Sequence, residues 1–318
     1  MKLFFKTLLC LIMLIIPALF CYPLSISEEV QQKLTTTSKI VASPVIQNLE
    51  KLKGRAAGSN YEKKAASLLA REFAALNLSP IREGNHFYFQ PFLIPKRVSY
   101  YERGRLKFKG QGHAKFQSQN VIGIIPGKLD KYLILSAHYD GQGINFHKVY
   151  PSANDNLSGI AALLSIAKNL RDHETNITYV FIAFGAEEMG LCGSEYFAQH
   201  LPFPKEKIIG AINIDTIGTN SGKMIIESNQ KSTFVHTIQT KLLQYDLDVS
   251  LDIASRRTSD HYPLGSIGLN ALSVMSVDWK NNNHTTKDSL DKVNFKQVDL
   301  VSRALSDAAL SMGDTFLP

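Results

Sequence analysis

Apolar residues along this 318-residue chain recur with two different periods, and the alternation between the periods lays out the fold. From Glu28 to Leu52 and from Tyr61 to Leu76, as in ASLLAREFAAL, they return every three or four positions, which predicts amphipathic helices. GRAAGSN between them predicts a turn. FYFQPFLI and NVIGIIPG, ended by Pro and Gly, predict short strands. YLILSAH, YVFIAFG, IIGAINID and GLNALSVMSV are apolar nearly throughout, the pattern of strands covered on both faces. The helical period returns in LSGIAALLSIAKNL, FVHTIQTKLLQY and VDLVSRALSDAALSM. Strands alternating with helices predict an α/β fold, a three-layer sandwich whose central mixed, mainly parallel sheet is flanked by helices. No repeat, low-complexity tract or linker divides the chain, so residues 28–318 are expected to form a single domain.

Composition adds a compartment and removes two kinds of partner. The opening MKLFFKTLLCLIMLIIPALF places Lys2 and Lys6 before an apolar run broken at Pro17, the layout of a secretory signal peptide over residues 1–21, with a boundary that extends as far as about 27. The run falls short of the roughly 20 residues of a spanning helix, so the mature chain is expected to be secreted or periplasmic and free of the membrane. Cys10 and Cys21 lie in or beside that leader, which leaves Cys192 alone and no internal disulfide. The net charge of +7 has no Arg/Lys stripe interleaved with aromatics, and RRTSD at Arg256 is too short for a nucleic-acid patch.

The charged residues sit at the ends of the apolar runs. YLILSAHYD delivers His138 and Asp140, YVFIAFGAEE delivers Glu187 and Glu188, and IIGAINID delivers Asp215. In a parallel sheet these ends share one edge, where open α/β folds place their ligands. YPSANDNLSG adds Asp155 just before a helix, and DWKNNNHTTKD adds His284 after the last strong strand. Repulsion would forbid so many carboxylates at one rim unless a cation neutralised them. Imidazoles with carboxylates and no thiolate suit zinc or a related divalent ion in a catalytic site. At a strand-to-loop turn Glu188 can bind metal while Glu187 faces the neighbouring water as a base. Asp140, two residues from His138 on one strand face, is placed to fix its tautomer.

Each fragment alone has an ordinary explanation: paired glutamates are common at surface loops, and NDN before a helix is a capping sequence. Their shared placement is what points to metal. A GxSxG elbow is absent, and the contiguous Ser259, Asp260 and His261 cannot form a relay, although Asp260 and Tyr262 are expected in the substrate pocket. The sequons at Asn156 and Asn283 flank proposed ligands and are read as coincidental.

SAHYDGQG, SANDNLSGIAALL, FGAEEMGLCGSEYF, NIDTIG, SDHYPLGSIG and HTTKDSLD, in that order, resemble the secreted dizinc aminopeptidase family that includes bacterial leucyl aminopeptidases, glutamate carboxypeptidases and glutaminyl cyclases. LKGRAAGSNYEKKAASLLAREFAALNL resembles that family's N-terminal helix pair, so the likeness runs from about Ile46 to near Met312. It implies two Zn2+ ions per chain, with His138 and Asp215 on one, Glu188 and His284 on the other, and Asp155 bridging. It also implies Glu187 as general base, Asp140 as support for His138, and removal of N-terminal residues from peptides by a metal-bridged hydroxide; the chain is expected to be a monomer. Pro151 and Ser152 stand where a Gly is usual, Thr216 where Met is common and Asn283 where Tyr is usual, which affects pocket shape. A single-zinc glutaminyl-peptide cyclotransferase is the alternative, and keeping both His138 and Asp155 speaks against it. A carboxypeptidase with an inserted lid domain lacks the chain length for the insert, and a decayed binding protein would have lost ligands first.

Overall fold

The computed structural model describes residues 43–81, 88–254 and 258–315, all within one compact unit. The expected leader, most of the 28–52 helix and Arg256 lie outside them. Helix α1 (Pro44–Glu50) starts on a Pro, whose missing N–H costs nothing in a first turn. Helix α2 (Asn60–Ala75) is opened by Ser59, whose Oγ accepts the Glu62 N–H at 3.2 Å. Glu62 reaches back to the Gly58 N–H at 2.6 Å, a variant of the reciprocal capping box.

Nine strands form the main sheet: β1 (Ser79–Pro80), β2 (Phe89–Glu102), β3 (Arg105–Ile125), β4 (Tyr132–His138), β7 (Thr178–Phe184), β8 (Ile208–Ile214), β9 (Lys223–Ser228), β10 (Asp248–Ile253) and β11 (Ala271–Ser276). A small hairpin supplies β5 (Gly143–Asn145) and β6 (Lys148–Tyr150). The main order is β1-β3-β7-β4-β8-β11-β9-β10, with β2 also paired to β3. Strands β7, β4, β8 and β11 run parallel to one another, and β3 and β9 flank them antiparallel, so the sheet is mixed as expected.

Alternation along these strands sorts side chains onto two faces. Leu133, Leu135 and Ala137 of β4, with Tyr179, Phe181 and Ala183 of β7, enter the larger core. That core is covered by α2, α3 (Ser158–Leu170), α5 (Thr233–Gln244) and α7 (Phe295–Thr315). Ile134, Val180, Ile182 and Phe184 point the other way, under α4 (Cys192–Gln199) and α6 (His261–Ser266). Covering both faces is why these strands read as continuous apolar runs. Burying each large aliphatic or aromatic side chain contributes about 1.5–3 kcal/mol. Among the described residues, no helix is long and apolar enough to cross a membrane.

The two strands read separately as FYFQPFLI and NVIGIIPG are parts of one long β2–β3 hairpin that turns at Arg103 and Gly104. Near its turn, Leu106 and Phe108 pack with Phe92, Ile94, Tyr150, Ala186 and Met189, above the loop that follows β7.

GRAAGSN is a turn, but one of its residues organises everything nearby. Arg55 is fully buried and donates to four backbone carbonyls: Tyr139 (2.8 Å), Leu49 (3.3 Å), Pro151 (3.2 Å) and Ser152 (2.6 Å). It therefore ties α1 to the end of β4 and to the loop before Asp155. Burial lowers its pKa to about 10, opposed by Asp140, Asp288, Glu50 and Asp155 around it, so it stays charged at neutral pH. Gly54 beside it has φ +73°, and a Cβ there would sit 2.0 Å from the Tyr150 carbonyl oxygen. Arg55→Met keeps most of the volume and removes every donor, so it is expected to cost about 3 kcal/mol or more. At roughly 2–4 °C per kcal/mol this lowers Tm by at least about 6 °C; a melting curve within 2 °C of wild type, a bound of about 1 kcal/mol, would show that the clamp is dispensable.

Candidate metal centre and active site

The parallel strands end on a common edge, and their last residues converge there. His138 closes β4, Glu187 and Glu188 follow β7, and Asp215 follows β8. Asp155 comes from the segment Ala153–Leu157 that leads into α3, and His284 from the loop after β11. Two groups of potential ligand atoms result, His138–Glu187–Asp215 and Asp155–Glu188–His284, with the atoms of each group within 4.8 Å of one another.

Asp155 joins the groups. Its Oδ1 lies 3.2 Å from His138 Nε2, and its Oδ2 lies 3.1 Å from His284 Nε2. Asp215 Oδ1 stands 3.5 Å from His138 Nε2, and Glu188 Oε2 stands 3.1 Å from His284 Nε2. Glu187 Oε2 is more distant, 4.0 Å from His138 Nε2. The donor set fits divalent metal on an independent count: His138 Nε2 and Glu188 Oε1 are buried polar atoms without a hydrogen-bond partner. Such atoms cost free energy unless something satisfies them. The His284 ring is oriented by Nδ1, 2.8 Å from the Leu106 carbonyl oxygen. Nδ1 is then the donor, and Nε2 turns its lone pair to the site.

The carboxylates are steadied by neutral donors. Asp215 accepts from Ser259 Oγ (2.6 Å) and Thr216 Oγ1 (2.8 Å), and Asp155 Oδ2 accepts from Asn283 Nδ2 (2.7 Å). Asp140 does something beyond the support expected of it. Its Oδ1 is 3.7 Å from His138 Nδ1, longer than a hydrogen bond, whereas its oxygens accept the backbone N–H of Glu187 (2.9 Å) and Glu188 (3.3 Å). Asp140 therefore fixes the loop that carries the glutamate pair.

Asp260 and Tyr262 are not among the residues lining the cavity. Asp260 is fully buried and accepts a hydrogen bond from Ser194, while Tyr262 lies half-buried in α6. Burial raises the Asp260 pKa to about 7. Three residues passed over in the sequence complete the scaffold. Asp288 accepts the N–H groups of Asn154 (2.7 Å) and Asp155 (3.1 Å), and burial together with Asp155 raises its pKa to about 7. Glu62 accepts from Ser118 Oγ at 2.6 Å beneath Gly185, where a Cβ would come within 3.1 Å of Glu62 Oε1. Asn156 holds the Thr216 N–H at 3.1 Å through Oδ1 and donates to the Ile214 carbonyl oxygen at 2.9 Å. The only sequence signal for Asp288 was its place in HTTKDSLD.

Electrostatics follow from crowding. Burial opposes the imidazolium of His138, but Glu187 and Asp215 outweigh it and push the pKa well above the usual value. Burial likewise opposes His284, and Glu188 and Asp155 reverse the sign. Asp155, although buried, is held well below the carboxylate range by the two histidines. Burial drives Glu187 well above its usual value against the pull of His138, with Glu188 adding to the rise. A cavity of about 370 Å³ opens onto this cluster, walled by Tyr100, Phe108, Leu191, Met275 and Trp279.

A buried pair of carboxylate-and-imidazole clusters sharing one aspartate, at the carboxyl edge of a mixed sheet between helices, defines a two-metal hydrolase site of the dizinc aminopeptidase type. The family model of peptidase family M28 matches residues 120–309, and the chain belongs to that family. Aminopeptidase YwaD of Bacillus subtilis is 30% identical over 209 residues, 60% of this chain and 45% of that protein. A probable leucine aminopeptidase of Arthroderma otae is 28% identical over 191 residues, 56% of this chain and 53% of that protein. The chain thus spans about half the length of these curated relatives. Among solved structures, the LapA aminopeptidase of Legionella pneumophila superposes with a TM-score of 0.69 at 18% identity, over 93% of this chain and 76% of that one. A glutaminyl cyclase of Fimbriiglobus ruber gives 0.67 at 20% identity, over 86% and 94%. These likenesses carry the fold and do not choose between the two chemistries.

Protons and metal compete for this site. In chelated protein the folded state keeps protons on His138 and His284 that the unfolded chain releases near pH 6.5. Native protons in excess mean stability that is complete below about pH 6.5 and lost as pH rises through the raised folded values. Denaturant midpoints of the chelated protein are expected to fall between about pH 6.5 and 8.5, and saturating zinc to raise them and flatten the slope. Parallel pH profiles with and without zinc would mean that the metal does not occupy these imidazoles.

Proposed function

We propose that this chain is a secreted dizinc aminopeptidase, acting as a monomer on peptides with a free N-terminus. In this reading His138 and Asp215 bind one zinc, Glu188 and His284 the other, and Asp155 both. The observation that carries it is Asp155 offering a separate oxygen to each imidazole, which suits two metals and is superfluous for one. The leader-like first 21 residues support export to the periplasm or medium.

Bound divalent zinc would supply Lewis acidity, lowering the pKa of water and polarising the scissile carbonyl. The chain's own residues do the rest. Glu187 lines the cavity and lies farthest from His138 Nε2 among the carboxylates facing that atom, which supports a proton carrier over a ligand. Burial raises its pKa above the usual carboxylate value, which makes it a stronger base. Its carboxylate takes a proton from the attacking water and passes it to the departing amine nitrogen. Asp140, by gripping the N–H groups of both glutamates, fixes the backbone from which the Glu187 side chain enters the cavity wall. The aromatic and aliphatic walls exclude bulk water from the reacting bond.

Cyclisation of N-terminal glutamine at a single zinc is the second reading, since a glutaminyl cyclase shares this fold. Glu187→Gln is expected to retain two zinc ions and the wild-type melting temperature while kcat on aminoacyl nitroanilides drops by about 10²–10⁴. Turnover near wild type would remove Glu187 from the mechanism. One tightly held zinc with pyroglutamate as product would replace the peptidase by the cyclase.

A further inference from the structure

Among the described residues the cavity wall carries two long cationic side chains, both from the β2–β3 hairpin: Arg105 and Lys107. Lys107 is already paired, its Nζ 2.9 Å from Glu102 Oε2. Arg105 is not. Its guanidinium lies over the Trp279 ring at 5.3 Å and donates to Asn283 Oδ1, and its Nε is buried without a hydrogen-bond partner. Among the described residues no carboxylate forms an ion pair with it.

Its position relative to the reacting centre is set by a short relay. Asn283 Oδ1 accepts from Arg105 while Nδ2 of the same amide donates to Asp155 Oδ2 at 2.7 Å. The guanidinium therefore stands two hydrogen bonds from the shared ligand, on the order of 7 Å. One residue of extended chain spans about 3.5 Å, so a group one side chain or one residue from the scissile bond reaches it. Charge sets which group. The four carboxylates of the two clusters would be balanced by two divalent cations, and Lys107 is paired with Glu102. Among the described residues Arg105 is left as a wall cation without an ion pair, beside aromatic and apolar side chains and the neutral Thr216, Thr258 and Asn283. A planar guanidinium lying over an indole, with N–H groups left over from its bond to Asn283, is suited to bind a carboxylate.

We infer that Arg105 selects substrates carrying a carboxylate next to the scissile bond, and so deepens the aminopeptidase reading on which this rests. Two sources offer that group: an acidic N-terminal side chain, or the C-terminal carboxylate of a dipeptide. Asn283, standing where such enzymes usually carry Tyr, acts as a positioning residue that aims the guanidinium.

Zinc-loaded full-length protein tests this with isosteric pairs. Glutamyl against glutaminyl nitroanilide probes the first source, and Leu-Gly against Leu-Gly-amide the second. At least one pair is expected to favour the charged member by about tenfold or more in kcat/KM, chiefly through KM. Arg105→Gln should bring that ratio close to one, and Arg105→Lys should restore part of it. Calorimetry with free L-glutamate and L-glutamine, or Leu-Gly and its amide on Glu187→Gln protein, reads the same discrimination as Kd ratios without turnover. Zinc content and melting temperature accompany each variant; if Arg105→Gln misfolds, the wild-type ratios and the Arg105→Lys variant still decide. Ratios near one in both pairs, or a preference that survives in Arg105→Gln, overturn the inference. Absence of chelator-sensitive hydrolysis of every substrate would overturn the peptidase reading instead, leaving the calorimetric ratios to judge Arg105.

Discussion

Repulsion among Asp155, Glu187, Glu188 and Asp215 is the constraint around which the molecule is arranged. Two unit charges 4 Å apart interact by about 4 kcal/mol at an effective dielectric of 20, and burial removes the water that would screen them. The simplest relief would be a lysine or arginine in contact with each carboxylate. Among the described residues none of the ion pairs at the cluster is of that kind; its partners are imidazoles, which give way to metal when neutral. The remaining oxygens are satisfied by Ser259, Thr216 and Asn283, donors that orient without cancelling charge. A site stabilised by fixed cations would have been a stable site with no affinity for metal.

The surrounding acids follow the same logic at one remove. Asp140 and Asp288 each accept two consecutive backbone N–H groups, one pair at Glu187–Glu188 and the other at Asn154–Asp155. They shape the loops through the backbone and leave the ligand side chains free. Their own charge is offset by the buried Arg55, which spends its donors on carbonyls rather than on any carboxylate. The loops around the site adopt left-handed backbone at Ala186 (φ 55°), Thr216 (φ 49°) and His284 (φ 59°). Such conformations cost of order 1–3 kcal/mol each in a non-glycine residue and persist only where neighbours over-determine them.

The legible part of this protein is the part written in period and position. β4, β7, β8 and β11 were readable because burial on two faces demands unbroken apolar runs, and the ligands were readable because parallel strands leave their ends on one edge. Strands β9 and β10 escaped notice: KMIIES and DVSLDI are short and carry charge near the margin of the sheet. Helices α4 and α6, six to eight residues long, were lost in glycine-bearing loops. Arg55 and Glu62 were invisible as functional residues, since an Arg in a turn and a Glu in a first helical turn are ordinary surface features until the fold buries them. SDHY suggested a pocket role for Asp260 because motif order says which loops converge, whereas the depth of a side chain is decided by packing against α4.

The β2–β3 hairpin shows why substrate preference is harder to read than catalysis. Its turn is far in sequence from every ligand, and its register carries a bulge between Ile94 and Lys96 that no periodicity announces. Yet the Leu106 carbonyl oxygen orients the His284 ring, the Leu106 N–H bonds the His284 carbonyl oxygen at 3.2 Å, and the next residue toward the turn is Arg105. One strand segment thus aims a metal ligand with its backbone and shapes the cavity with its side chains. Backbone hydrogen bonds tolerate changes of side chain, so Arg105 and Lys107 can vary without releasing His284. The reaction centre is protected from the very substitutions that would retune what the cavity accepts.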